Sequence, residues 1–263
     1  MIKKTLCALP ALVMVFSASP LQAELKKETI QYKDGDVELQ GYLAWDDSIS
    51  GKRPGILVVH EWWGLNDYAR QRAEMLAGMG YVAFAVDMYG KGKIAQHAQE
   101  AGQWAGQIRA NIKAWQERGL AGLKILQGHA LVDAKRIAAI GYCFGGATAM
   151  QLAYTGADLA GAVSFHGSLP EPPKEAAGKI KAKILICHGA ADSFIPAEQI
   201  QKCQRGLEEA KADWQMVFYS GARHSFTNPA ADQAGIEGLH YDKSADARSW
   251  QHMQDFFKEI FSK

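Results

Sequence analysis

The sequence predicts an α/β fold in which helices cover both faces of a mostly parallel sheet, and an antiparallel hairpin precedes that sheet. Short apolar runs alternate with amphipathic stretches along the chain, which is the order of elements in a parallel sheet. Residues 55–60 (GILVVH) are almost continuously apolar, as expected of a strand buried on both faces. Of the 263 residues, 48% are hydrophobic and 22% are charged, which excludes a disordered or fibrous chain.

The elements follow one another regularly after the hairpin. Residues 29–33 and 37–45 are its strands, and the turn Asp34-Gly35-Asp36 has a glycine that adopts positive φ easily. Further strands are predicted at 55–60, 81–86, 136–142, 160–165, 183–187 and 214–219. Helices are predicted at 66–79, 95–127, 144–154, 196–210 and 244–261, and the second is one helix or two, interrupted near Gly119. Ligands bind such sheets beyond the carboxyl ends of the strands, so chemistry is expected at that edge.

Residues 1–23 have the pattern of a cleavable signal peptide. Lys3 and Lys4 make a basic start, residues 6–16 are apolar, and residues 21–23 (LQA) form a cleavage site that ends at Ala23. The apolar run is too short to span a bilayer, and the alternative is a buried N-terminal helix. We therefore expect a secreted, periplasmic protein without a membrane anchor after cleavage, in which residues 24–263 form one domain. A monomer is the simpler expectation, although no pattern sets the oligomeric state.

Charge and cysteine content limit the partners. The formal net charge is +1 and no basic run is present, which argues against nucleic acid as a partner. No residue spacing indicates a metal site, and no cofactor is expected. Removal of residues 1–23 would leave three of the four cysteines, Cys143, Cys187 and Cys203, so at least one thiol is unpaired within the chain.

The sequence Gly141-Tyr142-Cys143-Phe144-Gly145-Gly146 lies between a predicted strand and a predicted helix. Glycines two residues before and two residues after Cys143 allow the chain to turn sharply. A side chain on such a turn stands clear of the sheet at the positive end of the following helix, where a nucleophile is activated. The alternative is a buried structural cysteine next to packing glycines.

A thiol nucleophile needs a base and an acid that orients the base. In this architecture they follow the nucleophile in the order acid, histidine, each on a loop after a strand. Asp192 comes just after the predicted strand 183–187, and His224 follows the strand 214–219. Taken singly, Asp192 is more often a turn or N-cap residue than a catalyst, and His224 is an ordinary loop histidine. Together they are the predicted acid and base.

The segment His60-Glu61-Trp62-Trp63-Gly64 follows the first buried parallel strand. We expect its backbone N–H groups to face the nucleophile across the top of the sheet, which is the usual source of a second oxyanion donor. Glu61 needs a polar partner because a buried acid is costly, and the nearest candidate is Cys143. His60, His166 and His188 also lie at strand ends, where packing or loop hydrogen bonding is the stronger interpretation.

These residues together resemble the dienelactone hydrolase family of α/β-hydrolases over residues 29–262. The resemblance rests on the Glu61 segment, Asp87-Met88-Tyr89, GYCFGG, the Asp192 loop and residues 221–226. It implies an α/β-hydrolase fold, Cys143 as nucleophile, His224 as base and Asp192 as orienting acid. It also implies that Glu61 contacts the thiol and that the backbone N–H groups of Trp62 and Phe144 bind the oxyanion. The substrate pocket is expected to include Trp63, Tyr89, Phe165, Ser225 and Asn228.

The predicted function is hydrolysis of a small-molecule carboxylic ester or lactone through a Cys-His-Asp triad and a thioester acyl-enzyme. The alternative is a binding or interaction protein on the same fold, with an inert Cys143. Relatives that hydrolyse the carboxylated lactone bind its carboxylate with two arginines. This chain has Asn228 at one of those positions and no arginine over 94–107, where Arg109 is at best displaced. The sequence therefore leaves the substrate open.

Overall fold

A computed structural model describes residues 25–262, so the predicted signal segment lies outside the described residues. Its strands are Leu25–Asp34 (β1), Val37–Asp46 (β2), Arg53–Val59 (β3), Val82–Val86 (β4), Val132–Tyr142 (β5), Gly161–Phe165 (β6), Lys183–Gly189 (β7) and Trp214–Tyr219 (β8). Its helices are Asp67–Gly78 (α1), Ala98–Arg109 (α2), Ile112–Gly128 (α3), Phe144–Tyr154 (α4), Ala197–Glu209 (α5) and Lys243–Phe261 (α6). Short 3-10 turns cover Lys174–Ala176 and Ala231–Ala234.

All eight strands of the described region form one sheet in the order β1-β2-β4-β3-β5-β6-β7-β8. The pairs β1–β2 and β2–β4 are antiparallel, and every other neighbouring pair is parallel. Gly35 has φ +56° in the β1–β2 turn, so the predicted hairpin and its glycine are confirmed. The mostly parallel sheet of the predicted α/β-hydrolase fold is confirmed as well.

Helices cover both faces of the sheet, and each face has its own apolar core. Leu57 and Val59 of β3 face the core that α2, α3, α4 and α5 cover, whereas Ile56 and Val58 face the core under α1 and α6. This alternation follows from the two-residue period of a strand. It explains why the central strands are apolar at every position.

The helical stretch 95–127 is broken at a different place from the one predicted. The interruption lies at Ala110 and Asn111, where the Asn111 side chain accepts a hydrogen bond from Ala114 N–H and starts α3. Gly119 lies inside α3 instead. A Cβ there would lie 2.9 Å from Leu152 Cδ2 of α4, so this glycine allows two helices to pack closely. The prediction was wrong because a packing glycine and a helix-breaking glycine look alike in the sequence.

Candidate active site

The chain turns sharply at Cys143, between the end of β5 and the start of α4. Cys143 has φ +54° and ψ −114°, a backbone conformation that a side chain rarely adopts. A Cβ on Gly141 would overlap the Gly145 carbonyl, and a Cβ on Gly145 would overlap the Val59 carbonyl of β3. The two glycines are therefore required by backbone contacts around the turn. Cys143 is held with 8% of its surface exposed.

His224 and Asp192 form a buried hydrogen-bonded pair. The distance from His224 Nδ1 to Asp192 Oδ2 is 2.8 Å, and their side chains are 8% and 0% exposed. The other carboxylate oxygen, Oδ1, accepts a hydrogen bond of 3.0 Å from Phe194 N–H, which fixes the orientation of the carboxylate. Because Nδ1 donates to Asp192, Nε2 of His224 is free for another partner.

Cys143 is that partner. Burial lowers the pKa of His224, but Cys143 and Asp192 together raise it to about 10 through charge and hydrogen bonding. The imidazolium is thus stabilised between the Cys143 sulfur and the Asp192 carboxylate. The structure brings together Cys143, Asp192 and His224, which lie on the loops after β5, β7 and β8.

The other described cysteines differ chemically from Cys143. Cys143, Cys187 and Cys203 are all unpaired and buried. Burial raises the pKa of Cys187 to about 12 and that of Cys203 to about 12, so neither thiol ionises at neutral pH. Of these three cysteines, only Cys143 lies beside the hydrogen-bonded pair of His224 and Asp192.

Two backbone N–H groups next to Cys143 have no hydrogen-bond acceptor among residues 25–262. They belong to Trp62, just after β3, and to Phe144, the first residue of α4. Each N–H belongs to a peptide whose carbonyl oxygen accepts a hydrogen bond, Glu61 O from Gly64 N–H at 3.3 Å and Cys143 O from Gly146 N–H at 3.1 Å. Both peptides are therefore held while their N–H groups stay available.

The structure gives Glu61 different partners from the predicted thiol. Glu61 is 1% exposed, and its Oε1 accepts a 2.7 Å hydrogen bond from Ser225 Oγ while Oε2 accepts one of 2.6 Å from Asn228 Nδ2. Burial raises the pKa of Glu61, and these two donors oppose that rise. The sequence could not reveal the pairing because the partners lie more than 160 residues away along the chain.

A cavity of about 230 Å³ opens beside the Cys143 sulfur. Its lining residues are Trp62, Arg109, Cys143, Ser168, Phe194, Ile195, His224, Ile236 and Leu239. The wall is mostly apolar, and the Arg109 guanidinium carbon lies 5.5 Å from the centroid of the Phe144 ring. Arg109 is exposed, and no carboxylate of the described chain pairs with it.

The five residues predicted for the substrate pocket are not among the residues that line this cavity. Ser225 and Asn228 are buried against Glu61, as described above, and Tyr89 supports Trp62. Trp63 packs on Trp62 at a centroid distance of 5.0 Å. Phe165 is 1% exposed and stacks on Tyr142 at 4.9 Å in the core under α1 and α6. All five residues lie at or beyond the carboxyl ends of strands, and their contact with substrate stays a prediction. Phe165 faces the core under α1 and α6 because successive strand residues alternate between the two faces of the sheet.

Sequence reasoning missed most of the cavity wall. Arg109 ends α2, and the sequence offered it only as a displaced counterpart of a substrate-binding arginine. Ile236 and Leu239 come from the loop after His224, where an isolated bridge pairs His224 with Leu239 and His240 N–H donates to the His224 carbonyl at 3.1 Å. The sequence did not decide whether this loop is a lid or a surface excursion. In the structure the loop forms part of the cavity wall. Phe194 is adjacent to the Asp192 loop, which is the one signal that could have found it.

The family model of the dienelactone hydrolase family matches residues 39–261. The chain belongs to this family. It is therefore an enzyme, a hydrolase of the ester and lactone type that acts on a small molecule. This finding favours the enzymatic interpretation over the binding-protein alternative.

Similar proteins cover nearly the whole hydrolase. "Protein usf" of Aquifex pyrophilus is 28% identical over 243 residues, covering 89% of this chain and 99% of the relative. A Yersinia pestis protein with a provisional carboxymethylenebutenolidase name is 29% identical and covers 88% of this chain and 87% of its own. A solved dienelactone hydrolase-like promiscuous phosphotriesterase from metagenomic libraries is 39% identical, with a TM-score of 0.87 over 90% of this chain and 98% of that one.

Over residues 25–262, no group of three His, Cys, Asp or Glu side chains is arranged to hold a metal ion. Within the same region, no helix combines the length and apolarity needed to cross a bilayer.

Proposed function

We propose that this hydrolase cleaves small carboxylic esters and lactones through a thioester on Cys143, with His224 as acid and base and Asp192 as orienting acid. The observation that carries the proposal is the 2.8 Å Asp192–His224 pair, whose imidazolium is hydrogen-bonded to a cysteine on a strained strand-to-helix turn. A nucleophile, a base and a group that orients the base are the parts that covalent catalysis requires.

In the first half of the reaction, the Cys143 thiolate attacks the carbonyl carbon of the substrate. The carbonyl oxygen becomes an oxyanion, which accepts hydrogen bonds from the N–H groups of Trp62 and Phe144. The intermediate collapses, the bond between carbon and the alcohol oxygen breaks, and His224 Nε2 gives its proton to the departing alkoxide. The products are the free alcohol, a thioester on Cys143 and a neutral His224.

In the second half of the reaction, His224 changes from an acid to a base because the charge of the site has changed. Acylation removes the thiolate, which is one of the two groups that raise the pKa of His224. Neutral His224 then takes a proton from water, and the resulting hydroxide attacks the thioester carbonyl. The thiolate leaves, the carboxylic acid product is released, and the thiolate–imidazolium pair is restored.

The nucleophile also selects the class of substrate. A thiolate is a better leaving group than an amine that has not been protonated, so a tetrahedral adduct formed from an amide returns to the amide. An alkoxide or phenoxide leaves more readily than the amine. Esters, lactones and thioesters are thus better substrates for this site than peptides.

The proposal is tested by trapping the acyl-enzyme. We expect an aryl ester with a hindered acyl group to release its phenol in a burst, and rapid acid quenching to leave the acyl mass on the peptide that contains Cys143. A neutral aryl phosphotriester belongs in the same panel because of the activity named for the 39%-identical relative. An acyl mass on any other residue during the burst contradicts the proposal.

Arg109 indicates a preference for anionic substrates. It is a cation without a paired carboxylate in the described structure, and it lines a mostly apolar cavity together with Cys143. Charge-assisted hydrogen bonds contribute about 1.5–3 kcal/mol, and exposure of the side chain reduces this. We expect Arg109→Gln to lower kcat/KM for a carboxylate-bearing aryl ester about tenfold and to leave its neutral analogue within about twofold.

The control for this change is Arg205→Gln, because Arg205 is exposed on α5 and does not line the cavity. Steady-state kinetics on the matched ester pair provide the measurement. Equal losses on both esters after Arg109→Gln would show that Arg109 does not select charge.

A further inference from the structure

His166 is a buried histidine for which the proposed mechanism has no use. It follows β6, is 0% exposed and has φ +40°, outside the usual range for a residue with a side chain. Both ring nitrogens have partners. Nδ1 lies 3.1 Å from the backbone nitrogen of Cys143, and Nε2 lies 2.7 Å from Thr227 Oγ1.

The partners determine the tautomer of His166. A backbone N–H can only donate, so Nδ1 carries a lone pair and accepts the Cys143 hydrogen. Burial lowers the pKa of His166 well below its ordinary value, and the positive charges of His224 and Arg72 lower it further. The neutral ring therefore carries its proton on Nε2 and donates it to Thr227 Oγ1.

Thr227 is itself held from both sides. Its Oγ1 lies 2.6 Å from Tyr68 Oη, and its carbonyl oxygen accepts a 2.6 Å hydrogen bond from Arg72 Nη2. Arg72 Nη2 also donates to Asp246 Oδ1 of α6 at 2.6 Å. Thr227 lies three residues after His224 on the same loop, so α1 and α6 both hold the loop that carries the base.

The Cys143 amide is the other end of this chain of contacts. Its N–H is shared between His166 Nδ1 and the Phe165 carbonyl oxygen, at 3.1 Å and 3.0 Å. Both acceptors therefore contact the backbone of Cys143, whose φ of +54° is strained. The His166 ring also meets the His224 ring edge to face, with 5.3 Å between the centroids.

We propose that His166 and Thr227 are positioning residues that tie the backbone amide of the nucleophile to the loop of the base. Through this link, the Cys143 sulfur and the His224 ring keep one distance and one orientation while the acyl group is added and removed. The inference rests on the proposed function, since it concerns the same cysteine and histidine. Neither residue touches the cavity, so neither is a catalytic residue.

The matched variants are Thr227→Val and Thr227→Ser. Valine has the shape of threonine but lacks the hydroxyl, whereas serine keeps the hydroxyl. We expect Thr227→Val to lower kcat for a neutral aryl ester about tenfold with KM within about twofold, because binding is untouched while transition-state geometry is lost. We expect Thr227→Ser to retain at least half of the wild-type kcat. Active sites are counted by burst amplitude, so unfolded protein does not enter kcat.

A second readout separates positioning from loss of fold. We expect iodoacetamide to alkylate Cys143 about tenfold more slowly in Thr227→Val than in Thr227→Ser at pH 6, where His224 is an imidazolium, and at similar rates at pH 11, above the pKa of about 10 at which His224 loses that proton. His166→Asn offers a further variant, since its Oδ1 replaces the Nδ1 acceptor and asparagine tolerates positive φ. We expect His166→Asn to show the same contrast with Thr227→Ser, slower alkylation of Cys143 at pH 6 and a similar rate at high pH, even where Thr227→Val is poorly folded.

Equal kcat and equal alkylation profiles in the valine and serine variants would overturn the inference. The failure of the proposed function is distinct, because it requires turnover to survive Cys143→Ala. If Cys143→Ala abolishes turnover while Thr227→Val matches Thr227→Ser, the thioester proposal stands and only the positioning role falls.

Discussion

Cys143→Ala is expected to lower kcat/KM for an activated aryl ester by about 10⁴–10⁶-fold, because no covalent intermediate can form without the sulfur. The N–H groups of Trp62 and Phe144 and the cavity remain in the variant, so a small residual rate above the background reaction is expected. Phenol release measured by absorbance, with protein from a preparation free of host esterase, gives the ratio directly.

The control is Cys203→Ala, which removes another buried thiol from the same chain. Cys203 lies on α5, is 0% exposed and does not line the cavity, so its loss should leave kcat/KM within about twofold. Thermal unfolding of both variants shows whether each is folded. Turnover by folded Cys143→Ala at the wild-type rate would exclude the thioester mechanism.

Asp192→Asn is expected to lower kcat by about 10³–10⁴-fold while the protein stays folded. Asp192 Oδ1 accepts a hydrogen bond from Phe194 N–H, so the asparagine oxygen will keep that position and its amide NH₂ will face His224. His224 Nδ1 must then accept, which moves the proton to Nε2 in the neutral ring. In that tautomer His224 cannot take a proton from water.

The matched control is Asp232→Asn. Asp232 Oδ1 pairs with His240 Nδ1 at 2.7 Å, but both side chains are about half exposed and lie outside the cavity lining. The same substitution on the same type of pair should leave kcat within about twofold. Comparable losses in the two variants would mean that the Asp192–His224 pair has no special role.

Asp192→Asn also has a signature in the pH dependence of stability. Burial lowers the pKa of His224, but Cys143 and Asp192 raise it to about 10, above the ordinary 6.5. The contacts of the imidazolium therefore stabilise the fold fully below about pH 6.5, and this contribution is lost as the pH rises to about 10. Urea unfolding should show a larger difference between wild type and variant at pH 6 than at pH 10.

Much of the fold follows from patterns within short segments. The apolar run at 55–60 and the glycine of the β1–β2 turn each predict an element that the structure contains, because strand burial and turn geometry depend on neighbouring residues. The break in the helical stretch is the exception. Asn111 starts α3 after the break through a capping contact, while Gly119 allows close contact between α3 and α4, and only the packed helices distinguish these two roles.

The sequence alone determined that Cys143 lies on a strained turn and that Asp192 and His224 follow later strands, because backbone sterics and strand order act locally and at one edge of the sheet. The tertiary structure alone decided that Glu61 binds Ser225 and Asn228, that Phe165 faces away from the cavity and that Arg109 faces into it. Contacts between residues more than a hundred positions apart, such as those of Glu61, are determined by how the loops pack over the sheet, and no local sequence pattern predicts that packing. The signal peptide and the export of the chain stay predictions from the sequence.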